Sequence, residues 1–205
     1  MNHGPLIIGF GHRRRVGKDS LASLVEKTLA IHTDWRVARA SFARRLKEEA
    51  HRLFRYAGLK GPEFYDANPE WREIPLPEIG KSPRELWIEI GNALRGVDPD
   101  IWIHNALADP NLRTRDALLI TDVRYPNEVS AIRALGGLVV KVIRPGVPDS
   151  SDMADSALAD MPDGAWDRLA VNDGGLDDLA RKADELARWV HGKLKTRYPD
   201  SGREP

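Results

Sequence analysis

Gly9-Phe10-Gly11-His12-Arg13-Arg14-Arg15-Val16-Gly17-Lys18-Asp19-Ser20 is the stretch that decides how this chain is read. Pro5-Leu6-Ile7-Ile8 leads into it and, with Gly9 and Phe10, forms a short apolar run of the kind a buried parallel strand needs. From Ser20 to Ile31, the residues Leu21, Leu24, Val25 and Leu29 fall on one helical face. A strand, a basic glycine-containing turn and a helix in this order make a phosphate cradle. Glycines let backbone N–H groups converge on phosphate oxygens, and the helix N-terminus adds the positive end of its dipole. Lys18 is placed for the outer phosphates and the Ser20 hydroxyl for phosphate or a magnesium shell. The strict pattern G-x-x-x-x-G-K-[ST] is not met, because Asp19 separates Lys18 from Ser20 and position 12 is histidine. Arg13, Arg14 and Arg15 read either as a solvated charge run or as guanidinium groups that fold over a triphosphate.

Further along, Trp35 to Phe42 reads as a second strand and Ala43 to Tyr56 as a helix, so the βαβα order predicts an α/β domain with a parallel sheet. Residues 58–82, with prolines at 62, 69, 75 and 77, leave little room for regular structure. Ser82-Pro83-Arg84-Glu85 then opens a helix as a capping box that should stop at Gly96, and Asp98-Pro99 caps another to about Leu107. Strands are expected at 117–122, 138–143 and 169–171, with a short helix at 127–135 and an amphipathic one from Leu176 to about Lys195. Residues 145–167 hold six Asp but no Lys, Arg or His and read as a loop or flap; the last seven or so residues read as a frayed tail.

The chain of 205 residues has 31 Lys and Arg against 31 Asp and Glu, yet the charge is unevenly placed. Residues 1–60 carry a net +8, 61–144 a net −3 and 145–205 a net −5. A basic first third implies an anionic ligand held there. The absence of cysteine excludes disulfide scaffolds, thiolate metal sites and thiol nucleophiles. No run approaches the roughly 18 apolar residues that span a bilayer, and the N-terminus shows no signal peptide, so a cytoplasmic protein is expected. The six histidines lack metal-ligand spacing, and no nucleophile motif anchors a Ser–His–Asp triad. His12 alone lies where it can meet phosphate. Strand 118–121 ends in Asp122, the usual acidic partner of a phosphate loop, with Arg124 two residues on, placed either for phosphate or for a salt bridge with Glu128.

Gly17-Lys18-Asp19-Ser20, Ser41-Phe42-Ala43-x-x-Leu46-Lys47-Glu48, Pro83-Arg84-Glu85-Leu86, Asp98-Pro99-Asp100-Ile101-Trp102, Asp122-Val-Arg124-Tyr-Pro-Asn127-Glu128, Arg144-Pro145 and Asn172-Asp173-Gly174 together resemble the deoxynucleoside monophosphate kinases of tailed phages. The resemblance spans about residues 6–190, and the D-V-R-x-P-N-E segment is its most specific part. It implies a P-loop kinase fold, three-layer α/β/α with a five-stranded parallel sheet and strand one central. A single domain would then carry an acceptor-binding helical insert at about 43–115 and the flap at about 145–167. It also implies ATP and Mg2+ as cofactors and a deoxynucleoside monophosphate as acceptor. On this basis Lys18, Asp122, Arg124 and Arg144 are the catalytic candidates, and Asp19, Ser20 and Asp122 the metal candidates. Gly11, Arg13, Arg14, Arg15, Val16, Gly17, Lys18, Asp19 and Ser20 would hold the ATP phosphates, and Asn172, Asp173 and Gly174 its adenine. Ser41, Phe42, Lys47, Arg84, Trp87, Arg95 and Trp102 would face the acceptor. Trp71, Trp87, Trp102, Phe64 and Tyr65 read either as core or as a surface that stacks on a base or excludes a 2′-hydroxyl.

Three other readings are weighed: a kinase for a ribonucleotide or dephospho-coenzyme A, a nucleotide-binding protein without transfer, and a nucleic-acid-binding module. The acidic remainder and the lack of interleaved aromatic and basic residues argue against the last. The partners expected are small nucleotides rather than membrane or nucleic acid; base preference and homodimer formation stay open.

Overall fold

A computed structural model of the protein describes residues 4–148 and 156–199. The strands are β1 (Leu6–Gly11), β2 (Val37–Ala40), β3 (Ala117–Val123), β4 (Leu138–Ile143) and β5 (Arg168–Val171). They form one parallel sheet in the order β2-β3-β1-β4-β5, which puts β1 at its centre. That position explains the unbroken apolar run: every residue of β1 is buried. Helices α1 (Lys18–His32) and α8 (Leu176–Arg197) cover one face. There Leu21, Val25 and Leu29 meet Ala183, Leu186 and Val190 over Ile8, Phe10, Leu119 and Val140. Helix α7 (Pro126–Ala134) lies on the other face, with Ile132 against β1. The result is a three-layer α/β/α arrangement with the phosphate-loop segment at the carboxyl end of the central strand.

The chain divides into two compact units, one formed by residues up to Ala40 and from Ala108 onward, the other by Ser41–Leu107. The second unit holds α2 (Phe42–Phe54), α3 (Pro62–Ala67), α4 (Pro83–Arg95) and α5 (Ile101–Leu107). A single turn, α6 (Pro110–Arg113), follows in the first. The capping box of α4 forms as its sequence predicts: the Glu85 backbone N–H donates to Ser82 Oγ at 3.3 Å, and the Ser82 N–H donates to Glu85 Oε2 at 2.7 Å.

Several expectations are corrected. Strand two is shorter than 35–42, because Ser41 serves as the N-cap of α2 and Phe42 is already helical and buried. Residues 58–82 are not irregular throughout. Pro62 opens α3 and Pro69 a 3₁₀ turn to Glu73, because a proline at the first helical position gives up no hydrogen bond. The flap is only partly loop-like: residues 149–155 lie outside the described part, but Leu158 and Trp166 are buried and Asp163 pairs with the buried Lys141 at 2.7 Å. Helix α8 runs to Arg197, where the Tyr198 hydroxyl donates to the Gly4 carbonyl at 2.8 Å; residues 200–205 of the expected tail lie outside the described part. Among the described residues, no helix is long and apolar enough to cross a membrane.

Candidate phosphate-binding site

Between β1 and α1 the backbone bends through three positive φ values, 103° at His12, 59° at Arg15 and 94° at Gly17. Left-handed conformations cost little at glycine and more at residues with a side chain, so this loop is held by its surroundings rather than by local preference. Lys18 is buried at the head of α1, and its ammonium donates to the carbonyls of His12, at 3.2 Å, and Arg13. Val16 packs into the core shared by α1 and α8, and its carbonyl accepts from the Asn172 side chain at 3.0 Å.

A cavity of about 340 Å³ opens over this loop. Arg14, Arg15, Gly17, Lys18, Asp19 and Ser20 line it from the loop and α1, Thr121, Asp122 and Arg124 from the end of β3, and Arg144 from the end of β4. Five cationic side chains face two carboxylates, an excess of positive charge suited to a polyanion. Among the described residues, no three His, Asp or Glu converge into a metal site of their own. A magnesium ion shared between one or two carboxylates and a phosphate needs no such cluster, and Asp19, Ser20 and Asp122 are donors of the required hard oxygen type.

The turn after β3 is set by Glu128. Its buried carboxylate accepts from the backbone N–H of Arg124 at 2.6 Å and of Tyr125 at 3.1 Å, which fixes the chain between Asp122 and α7. Glu128 thus engages the Arg124 backbone, while the Arg124 side chain lines the cavity. Glu128→Ala would strand two N–H groups, each worth about 1–3 kcal/mol. We expect a loss of about 2–6 kcal/mol in urea unfolding, with Glu128→Gln recovering part of it through its remaining carbonyl oxygen.

His12 is held below its ordinary 6.5, first by partial burial and then by the charges of Lys141, Arg13 and Lys18, against a hydrogen bond with the Val142 backbone that acts the other way. Its Nδ1 is buried without a hydrogen-bond partner, which also favours the neutral ring. A depressed folded value means that the unfolded chain binds more protons. Stability is therefore full above 6.5 and falls as pH drops toward the folded value. The thermal midpoint should decline more steeply between neutral and mildly acidic pH in the wild type than in His12→Asn, as circular dichroism melts would show.

The residues expected to bind ATP fall into two groups. Arg14, Arg15, Gly17, Lys18, Asp19 and Ser20 come together with Asp122, Arg124 and Arg144. Gly11, Arg13, Val16 and Asn172 to Gly174 do not line this cavity. Gly11 is a buried strand residue whose missing Cβ is replaced by the Trp166 ring, 2.7 Å from where that Cβ would lie. Arg13 gives its carbonyl to Lys18. The Asn172 carboxamide is buried and occupied by Val16, a placement that favours loop support over contact with adenine. Asp173 pairs with Lys182, and Gly174 lies against Asp178.

On the acceptor side, Trp87 and Trp102 are buried in the helical unit, which favours the core alternative over base stacking. Trp87 packs edge-on to Tyr65 at 5.1 Å, with Lys47 over its ring at 5.2 Å. Phe42 is likewise core, Arg84 pairs with Glu73, and Arg95 sits in the last turn of α4. Trp71, by contrast, is about half exposed and meets Phe64 edge-on at 5.7 Å. Sequence reasoning misses Thr121 as a cavity-lining residue, Glu128 as the anchor of the backbone after β3, and Trp166 as the ring beside Gly11. The Thr121–Asp122 pairing and the Pro126-Asn127-Glu128 turn carry a signal for the first two, whereas nothing local announces that Trp166 fills the space beside Gly11.

No family model matches the chain. A protein of Acanthamoeba polyphaga mimivirus, provisionally named deoxynucleotide monophosphate kinase, is 26% identical over 188 residues, covering 85% of this chain and 92% of its own. Among solved structures, dephospho-CoA kinase from Campylobacter jejuni aligns over 90% of this chain and 96% of its own at 11% identity and a TM-score of 0.47. A gluconokinase from Sinorhizobium meliloti aligns over 95% and 98% at 13% identity and a TM-score of 0.44. Both scores are below 0.5, so the fold assignment rests on this chain's own strand order and loop. With β1 central, a parallel sheet of five strands and a glycine-containing loop leading into α1, the chain has a P-loop kinase fold and is similar in sequence to a viral protein named as a deoxynucleotide monophosphate kinase.

Proposed function

We propose that this protein transfers the γ-phosphoryl of ATP to a deoxynucleoside monophosphate, giving ADP and the diphosphate. The observation that carries the proposal is the meeting of Lys18, Asp122, Arg124 and Arg144 at one cavity over the phosphate loop. The sequence likeness to the mimivirus protein supports the choice of acceptor. An acceptor phosphate oxygen attacks the γ-phosphorus, and the bond to the β–γ bridging oxygen breaks. The acceptor is already ionised, so no strong general base is required; what the site must supply is alignment and stabilisation of charge. Lys18 would hold the outer phosphates, while Arg14 and Arg15 would screen the nucleotide's charge. Arg124 and Arg144, beyond the ends of the two strands that flank β1, would grip the phosphoryl in flight. Asp19, Ser20 and Asp122 would hold the magnesium ion, which when bound neutralises charge on the β- and γ-oxygens.

An acceptor panel tests this directly: each dNMP, each NMP and dephospho-coenzyme A with ATP and Mg2+, scored for ADP release. Turnover confined to or strongly favouring one or more dNMPs is expected. Preference for a ribonucleotide or dephospho-coenzyme A would overturn the acceptor assignment, and ATP binding without ADP release would overturn transfer itself.

A further inference from the structure

The phosphate loop holds a costly left-handed angle at Arg15, next to Val16, and something must impose it. One contact from the far end of the chain reaches it there. Asn172 follows β5, 156 residues away; its backbone N–H donates to the Ile143 carbonyl at 2.7 Å, extending the β4–β5 pairing by a residue. Its side chain is buried, and Nδ2 donates to the Val16 carbonyl at 3.0 Å. The same nitrogen lies 2.5 Å from where a Cβ on Gly17 would stand, so the carboxamide fills the space that glycine leaves. Lys182 of α8 secures the strand end that carries it, donating to the Val171 carbonyl and pairing with Asp173 at 2.5 Å and Asp178 at 2.7 Å.

We infer that Asn172 is a positioning residue that aims the phosphate loop. In a planar trans peptide the carbonyl and the following N–H point in opposite directions. Anchoring the Val16 carbonyl on Asn172 therefore turns the Gly17 N–H away from Asn172, and Gly17 is a cavity-lining residue. A buried bond of this kind has no water to replace it, so its loss frees the peptide to rotate. The loop would then present fewer N–H groups to a polyanion. The inference rests on the reading that this loop binds phosphate.

The test uses the full chain and three readouts: hydrogen exchange of residues 14–20 in the free protein, and calorimetric affinity for Mg-ATP and for inorganic tripolyphosphate. Asn172→Ala is expected to speed exchange in the loop and to weaken both ligands by a similar factor, about tenfold or more. Asn172→Asp keeps the volume and carries the test should the truncation unfold the protein. Its ionised carboxylate faces the Val16 carbonyl and cannot donate, whereas the protonated acid can. Affinity in Asn172→Asp should therefore recover as pH is lowered, relative to wild type over the same range, and in Asn172→Ala it should not. Loss of ATP affinity with tripolyphosphate unchanged would make Asn172 an adenine contact and overturn the inference. So would wild-type exchange and affinity in both variants. Should the wild type bind neither ligand, the phosphate-binding reading fails, while the exchange comparison still decides whether Asn172 holds the loop.

Discussion

Lys18→Ala is expected to lower ATP-dependent phosphoryl transfer by about 10³-fold while leaving a folded protein. The ammonium sits on the carbonyls of His12 and Arg13, inside the curve of the loop and at the wall of the cavity. From there, on the proposed mechanism, it would meet the developing charge on the phosphoryl without any rearrangement of the backbone. Its removal takes a preorganised positive charge out of a partly enclosed space, where water is a poor substitute. The structural cost is smaller: two carbonyls lose a donor, worth about 1–3 kcal/mol. Circular dichroism should therefore show a native spectrum with a modestly lowered melting point. Lys18→Arg should not restore turnover, because a planar guanidinium does not fit the space of a compact ammonium. Full activity of Lys18→Ala on the preferred dNMP would sink the proposed mechanism.

Asp122→Asn should have the second largest effect, about 10²- to 10³-fold in kcat, accompanied by a higher magnesium requirement. The substitution preserves shape and removes charge, so a change in stability is not expected to explain it. Asp122 ends the central part of β3 beside Thr121, and Glu128 fixes the backbone immediately after it. The β1–β3 pairing runs in register from Leu6 opposite Ala117 to Gly9 opposite Ile120, shifts by a residue, and resumes at Gly11 opposite Val123, so Asp122 lies at the irregularity beside the start of the loop. The measurement is turnover against magnesium concentration at saturating ATP and acceptor. An unchanged curve would make Asp122 an ordinary strand end. Lys18→Ala should lower the plateau without the same displacement along the magnesium axis, so the two variants separate the two roles.

Much of this arrangement is legible in the amino-acid sequence alone. The Leu6–Phe10 run, the following loop and the Asp122-Val-Arg124 segment are each local signals: buried strands need apolar runs, and phosphate sites need glycine, lysine and a strand-end carboxylate. The capping box at Ser82 and Glu85 is local as well, and it forms as read. What escapes the sequence is long-range. Trp166 is a lone tryptophan in an acidic stretch until Gly11 is seen to make room for it, and Asn172, expected at adenine, has no visible tie to the loop until Val16 arrives beside it. Trp87 and Trp102 mislead for the opposite reason. Motif position suggests a ligand, but both rings are consumed by the core of the helical unit. Pro62 and Pro69 mislead too, because proline breaks a helix interior but suits its first turn.

The central place of β1 also sets the order in which the protein can assemble. Its neighbours on either side are supplied by Ala117–Val123 and Leu138–Ile143, each more than a hundred residues downstream. Until those segments have left the ribosome, the most apolar strand of the sheet has two bare edges and no partner. The intervening helical unit, a single continuous segment, can condense earlier from its own near neighbours. Closing so long a span carries an entropic cost before any pairing rewards it, which favours slow folding of the sheet and a vulnerable nascent chain. The strand that delivers the phosphate loop is thus made first and completed among the last.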